Sequence, residues 1–463
     1  MEKKRLSRRD FLRMGGLAAA GMALAACTKP AEAPKEEPTK AEEAPTPAPK
    51  EEAQQMVFWP EWGGKDADAL KVQVDKFVEE TGIAVEYLPI RDHARMIASM
   101  GAGNPPDLLM TWDAGAVGTW GFNEAIMDLN PYIEASGFDL DSLHPLGVAS
   151  GDLMGIRQIG LPLSNYLNTV LYWNKDAFEE AGLDPETPPE TWEEVRAMHD
   201  KLTVIENGQI VKWGFQVMQG QMGHPSVMAY GFGGDIYSAD RRQLTPDSDA
   251  KVASLKWIRS FYEDYDLNEV RRWQDSQSGD ADSPTNPLYT GLTGMLLTGE
   301  WMPSFFDRLE DIEVNIGAAY MPYPEAKPGV KGTMAANSNP MIIPTEAKNP
   351  DAGWKFIEFI SRPQNSAEMC DIVGNASPVK EGVLLHAEMT ENLLYKWMLE
   401  EVWVNATIRP LTVNNPVGSL YMDVLARETD LVLEEGKDAL EAMQTVKDEV
   451  QPELDAALDE LGI

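Results

Sequence analysis

The sequence predicts an α/β protein, and three observations carry that prediction. After residue 55 the chain opens with an apolar strand pattern, Met56-Val57-Phe58-Trp59, followed by an amphipathic helix pattern over residues 66–81 and a second strand pattern over 83–87. Strand, helix and strand in succession make the βαβ unit of a parallel sheet. Strand-like runs then recur between helical stretches, at residues 108–110, 169–173, 211–217 and 340–344. The chain is 463 residues long, which suits about two or three compact units.

Composition narrows the function. Hydrophobic residues make up 43% and charged residues 25%, the balance of an ordinary globular protein rather than a disordered or fibrous one. The formal charge is −36, and the first 26 residues carry six Lys/Arg against two Asp/Glu, so the remainder is more acidic still. So acidic a chain lacks the basic surface that nucleic acid requires, and no nucleic-acid partner is expected. An anionic membrane face is disfavoured for the same reason, and the acidity is read simply as a source of solubility. Cys27 and Cys370 are the only cysteines, so no disulfide framework is available. Beyond residue 26 no run is apolar for the ~18 residues that a membrane span needs.

Residues 1–27 have a basic start, a Gly/Ala/Leu-rich core and small residues before Cys27, the pattern of a signal peptide. Ser7-Arg8-Arg9-Asp10-Phe11-Leu12 matches the twin-arginine export pattern, with Arg8 and Arg9 as its signal residues. Leu24-Ala25-Ala26-Cys27 resembles a lipobox, whose cysteine is acylated and becomes the mature N-terminus. A transmembrane anchor is the alternative, but an apolar core of about 15 residues is short for one. Residues 28–55 are Pro/Glu/Ala/Lys low complexity with nothing to bury, and are expected to form a disordered, extended tether.

In the βαβ opening, Leu70, Val74, Phe77 and Val78 share one helix face, and Gly82 supplies the stop. Ligands of parallel sheets sit beyond the strand carboxyl ends, which selects Glu61 and Trp62. Capping of the core is the plain alternative for Trp62. The Gly/Pro turn over 101–107 leads into the strand at 108–110, which delivers Thr111, Trp112 and Asp113 to the same edge. Pro162 and the polar run Ser164-Asn165-Tyr166-Leu167-Asn168, read as a loop, precede the β-favouring residues 169–173. Asn174 is placed to cap a short helix that Gly182 ends, and Thr191 with Glu194 has capping-box spacing.

Further on, residues 219–224 form a polar loop. Gly231-Phe232-Gly233-Gly234 lacks the spacing and lysine of a P-loop and reads as a helix stop. A strand pattern ending near Gly299 presents Glu300 and Trp301, with a core position as the alternative for Trp301. Asn337 and Ser338 lie in a small-residue segment before the apolar run at 340–344, and Arg409 or Asn414 is a looser candidate in the irregular stretch 410–418. The tail, 438–461, reads as a helix.

The run LYWNKDAFEEAGLDPETPPETWEEV, from Leu171 to Val195, closely resembles the LYYNKD…GL…PPkTWeE signature of the family 1 extracellular solute-binding proteins. These are the sugar-binding receptors of ABC importers, including the maltose- and glycerol-3-phosphate-binding proteins. Gly101 to Asp107, Gly291 to Trp301, Asn315 to Pro322, Lys348 to Ile360 and Gly374 to Val379 resemble further family segments in order, so the likeness covers the chain from Met56 onward. The resemblance implies a type II periplasmic-binding-protein fold: two lobes, each a mixed sheet flanked by helices, joined by a three-segment hinge near residues 164–168, 315–320 and 374–379. The first lobe is expected over 56–165 with 320–375, and the second over 166–319 with 376–463. It implies ligand contacts from Glu61, Trp62, Thr111, Trp112, Asp113, Asn165, Tyr166, Glu300, Trp301, Asn337 and Ser338. It also implies an exported, lipid-anchored receptor, on the outer face of the cytoplasmic membrane or in the periplasm. Such a receptor would bind a sugar as a monomer and deliver it to ABC permease membrane subunits, with no cofactor, metal or catalytic residue. The run 165–168 departs from the named relatives' sugar contacts, so ligand identity does not transfer.

Two other functions compete. A glycoside hydrolase needs a paired acid and base, and no carboxylate spacing singles out a pair. The five histidines, His93, His144, His199, His224 and His386, are scattered, and HExxH, CxxC and GxSxG patterns are absent. The second competitor is a receptor of the same fold for a peptide, polyamine or polyol phosphate. Glu61 and Asp113 favour cationic or polyhydroxyl ligands over phosphorylated ones.

Overall fold

The computed structural model describes residues 55–216, 227–277, 280–306, 308–309, 313–386, 392–411 and 414–463. Arg8, Arg9, Cys27, nearly all of the expected tether and the polar loop at 219–224 lie outside the described residues.

Two sheets organise the rest. The first has six strands, β1 (Gln55–Pro60), β2 (Ala84–Tyr87), β3 (Leu108–Met110), β6 (Leu161–Leu167), β12 (Thr333–Ile342) and β13 (Thr407–Pro410). Its order is β13-β12-β3-β1-β2, with β6 on β12. The second has five, β7 (Val170–Asn174), β8 (Val204–Glu206), β9 (Gln209–Phe215), β10 (Thr293–Thr298) and β11 (Ile316–Ala319), in the order β11-β7-β10-β9-β8. The small strands β4 (Asp152–Leu153) and β5 (Arg157–Gln158) pair only with each other.

Local chemistry explains the joints. β1 lies parallel to both β2 and β3, as the βαβ pattern predicts. The intervening helix Gly64–Thr81 buries Leu70, Val74 and Phe77, and Gly82 ends it with φ 71°, a left-handed conformation that suits glycine. Its Phe77 packs edge-on to Phe356 at 5.3 Å, from the helix Pro350–Ile360. Asn174 caps the helix Lys175–Glu180 by accepting from the Ala177 N–H at 2.8 Å. Thr191 and Glu194 form the expected capping box.

Two expectations are corrected. The polar run at 164–168 is not a loop. Residues 161–167 form β6, paired antiparallel with β12 over Leu161–Met341 to Leu167–Ala336 and wholly buried. Likewise Asn337 and Ser338 do not precede a strand but lie within β12, which begins at Thr333. The ladder with a long partner strand outweighs the weak β preference of Ser and Asn. The chain passes from the first sheet to the second between Leu167 and Val170 and returns between Ala319 and Thr333. A bridge between Asn165 and Ala376 ties residues 374–379 to the first of these passages. β13 returns later still to pair in parallel with β12.

Candidate functional site

A cavity of about 780 Å³ opens where the two sheets meet. That volume is in the usual range for a small-molecule site. The carboxyl ends of β1 and β3 contribute Trp62, Trp112 and Asp113, and the stretch after β10 contributes Trp301. β6 and the residue after it supply Tyr166 and Asn168, and β12 supplies Asn337 and Asn339.

Aromatic rings form the walls. Trp112 is 41% exposed, Trp62 is mostly covered, and Trp301 lies between. Tyr166 meets Trp301 edge-on, with ring centroids 5.4 Å apart. Burial pushes the Tyr166 hydroxyl above its ordinary pKa, against a hydrogen bond with Asn337. The Trp301 ring folds back over Gly299, where a Cβ would stand 2.0 Å from it. Arg91 lies over the Trp112 ring at 5.7 Å.

Several of the residues selected from the sequence support this surface rather than form it. Glu61 is 1% exposed and does not line the cavity. Its carboxylate accepts from the Thr111 hydroxyl at 2.6 Å and the Trp112 N–H at 3.1 Å, so it braces the turn after β3. His93 Nδ1 lies 3.3 Å from the same carboxylate and Nε2 lies 3.6 Å from Asp113. The Glu61 hydrogen bond raises the His93 pKa against the effect of burial, and Asp113 and Asp92 add to the rise. Asp113 also caps the helix Ala114–Phe122, accepting from the Ala116 N–H at 3.0 Å.

Glu300 is buried and accepts from the Ala376 N–H at 2.8 Å and the Trp403 indole at 2.9 Å, while its own N–H donates to Leu167. Burial pushes its carboxyl up to about 8. Ser338 donates to the Ser164 carbonyl, and the Asn165 backbone pairs with Ala376. Thr111, Asn165, Glu300 and Ser338 all lie behind the lining. Arg409, paired with Asp235, and Asn414, bonded to the Ser150 carbonyl, do not line it either.

Sequence reasoning missed the rest of the lining. Lys65, Asp66, Arg91, Asp280, Asp282 and Arg308 place charge of both signs in the cavity. Burial raises Asp66 to about 6, opposed by Arg308 and Arg91 and reinforced by Asp282. Asn168 and Asn339 were findable by strand period. Once 164–168 is read as a strand with its continuation, Ser164, Tyr166 and Asn168 share one face, and Asn337 and Asn339 share a face of β12. Among the described residues, no group of three or more His, Cys, Asp or Glu is placed to hold a metal ion. Cys370 is buried.

A family model described as bacterial extracellular solute-binding protein matches residues 63–367. The sn-glycerol-3-phosphate-binding periplasmic protein UgpB of Escherichia coli (strain K12) is 27% identical over 283 residues, 59% of this chain and 61% of that protein. The chain thus spans about three fifths of the curated relatives matched first. Among solved structures, CpMnBP1 with mannotriose bound is similar at TM-score 0.76 and 25% identity, covering 86% of this chain and 99% of that one. The maltose-bound MalE3 of T. maritima, at TM-score 0.68 and 21% identity over 86% of this chain and 99% of that one, shares the fold.

Proposed function

This chain belongs to the bacterial extracellular solute-binding proteins and has their type II fold, and from that premise we propose that it is an ABC-importer receptor for a carbohydrate, an oligosaccharide of neutral sugars. The observation that carries the proposal is the cavity itself, walled by Trp62, Trp112, Trp301 and Tyr166 and lined between them by carboxamides and carboxylates. The apolar face of a sugar ring packs on an aromatic ring, while its hydroxyls need directed polar partners. Such a site suits a polyhydroxyl ligand. The mannotriose and maltose carried by its structural neighbours agree with that chemistry.

The mechanism is hinge closure. The first lobe comprises 56–165 with 320–375, joined by the end of β6 and by the later strand β13, and the second the rest of 166–319 and 376–463, and they turn about the passages near 164–168, 315–320 and 374–379. Sugar contacts from both lobes stabilise the closed state, and the permease subunits read that state. Export through the Arg8-Arg9 signal and acylation of Cys27 would anchor the receptor at the membrane, with residues 28–55 as its tether.

A polyol phosphate is the second reading. The likeness to UgpB and the cavity cations Lys65, Arg91 and Arg308 favour it. Asp66, Asp113, Asp280 and Asp282 line the same cavity and oppose it. The deciding test is the melting temperature of the purified chain with mannotriose, maltotriose, sn-glycerol 3-phosphate, a tripeptide and spermidine. A ligand at 100 times its Kd adds about 2.7 kcal/mol, a shift of several degrees. An oligosaccharide shift supports the proposal. A shift with the phosphate alone, or with peptide or amine alone, refutes it.

A further inference from the structure

One buried carboxylate stands where the chain crosses between the sheets. Glu300 follows β10, is 1% exposed and does not line the cavity. Its backbone N–H donates to the Leu167 carbonyl at 3.0 Å, at the end of β6 where the chain leaves the first sheet. Its Oε1 accepts from the Ala376 N–H at 2.8 Å, in the segment bridged to Asn165. Its Oε2 accepts from the Trp403 indole at 2.9 Å, and Trp403 follows directly on the π-helical turn Met398–Val402. The next residue is Trp301, a wall of the cavity, whose carbonyl accepts from the Tyr395 hydroxyl at 3.3 Å.

Two donors thus reach the side chain, one at each oxygen, and a carboxylate accepts fully at both. A glutamine offers one carbonyl and turns amide hydrogens toward the second donor. The protonated acid keeps one good acceptor and a weaker one. Burial pushes the carboxyl up to about 8 against the hydrogen bonds from Trp403, Ala376 and Leu167, and no cation is among the described groups that act on it. Tyr172 and Cys370 face it, and burial lifts both well above their ordinary values. Asp371, beside Cys370, is paired with His386. His144 stands edge-on to Trp403, and burial with Lys380 holds it below its ordinary value.

We propose that Glu300 is a positioning residue that couples the hinge to the stacking ring: its carboxylate and its backbone N–H tie the passages at 374–379 and 164–168 to the residue before Trp301, so that movement of the lobes and placement of that ring go together. This deepens the receptor reading above and rests on it. Protonation leaves one of the two donors poorly matched and loosens the ring, so ligand affinity rises with pH as Glu300 ionises. Stability moves the other way. A carboxyl whose folded pKa is raised costs stability progressively above its ordinary value of 4.5, and in full above the folded one. Glutamine removes that cost.

The test titrates the full chain at pH 7 and pH 9 with whichever of mannotriose and maltotriose gives the larger melting shift. At pH 9 Glu300→Gln should bind at least tenfold more weakly than wild type, since a buried N–H loses its acceptor. At pH 7, where the wild-type carboxyl is mostly protonated, the two should agree within about threefold. The unliganded variant should melt no lower than wild type at pH 9. Trp403→Phe keeps a ring and removes one donor, and it should also weaken binding at pH 9; it covers the case in which Glu300→Gln fails to fold. Affinity within about threefold of wild type at both pH values overturns the inference. So does a loss that is equal at both pH values and accompanied by a lower melting temperature, which marks a merely structural residue. Binding of sn-glycerol 3-phosphate or spermidine in place of both oligosaccharides overturns the carbohydrate reading alone, and the same comparison with that ligand still decides the coupling.

Discussion

Trp62 and Trp301 face the cavity from opposite sheets, and a double alanine variant removes both large stacking surfaces. Buried aromatic anchors typically contribute about 2 kcal/mol or more to binding. Oligosaccharide affinity should therefore fall at least a hundredfold in calorimetry, and unchanged affinity would show that the rings serve the core alone. His93 gives a pH signature. Its folded pKa is raised by Glu61, Asp113 and Asp92. The pairing thus contributes stability that is complete below the unfolded value near 6.5 and is lost as pH rises through the folded one. Wild type should melt above His93→Gln at pH 5.5, and the gap should shrink by pH 8.5. A gap that widens over that range contradicts the pairing. At this scale Trp62, Trp112 and Trp301 were legible in the sequence because each follows closely on a strand pattern, where ligands of such sheets sit. Arg308 and Asp282 were not, because what brings them to the cavity is tertiary placement.

Strands and turns set where those side chains stand. Gly299, at the end of β10, leaves room for the Trp301 ring, and Tyr172 donates to its carbonyl at 3.1 Å. In Gly299→Ala the methyl would overlap the ring, and Trp301 must turn out of its place against Tyr166. Oligosaccharide affinity should drop about tenfold or more, with Trp fluorescence reporting the displaced ring. Unaltered fluorescence and affinity would mean that the ring is free to sit elsewhere. The local elements were largely readable, since the Asn174 cap, the Thr191–Glu194 box and the Gly82 stop depend on neighbours in sequence. β6 was not readable. Ser164, Asn165 and Asn168 look like loop residues, and only the distant β12 makes the segment a strand. That misreading hid the two-residue period, and with it Asn168 and Asn339.

For the whole molecule, hinge closure requires the two sheets to approach each other over the sugar. Small-angle scattering with saturating oligosaccharide should show a smaller radius of gyration than the free chain. Identical profiles for a ligand whose binding is independently confirmed would rule out closure. The signature at Leu171–Val195 made the architecture legible, because it follows directly on the passage from one sheet to the other. The later return of β13 to the first sheet was not, since only its pairing with the distant β12 makes Thr407–Pro410 a strand. The central claim is that this cavity takes a neutral oligosaccharide. Calorimetric titration of the purified chain with mannotriose and maltotriose, against sn-glycerol 3-phosphate and spermidine, tests it most directly. Saturable one-site binding of an oligosaccharide is expected, with a negative heat-capacity change from the covered rings. Saturable binding of the phosphate or the amine, with neither oligosaccharide titrating, would contradict it.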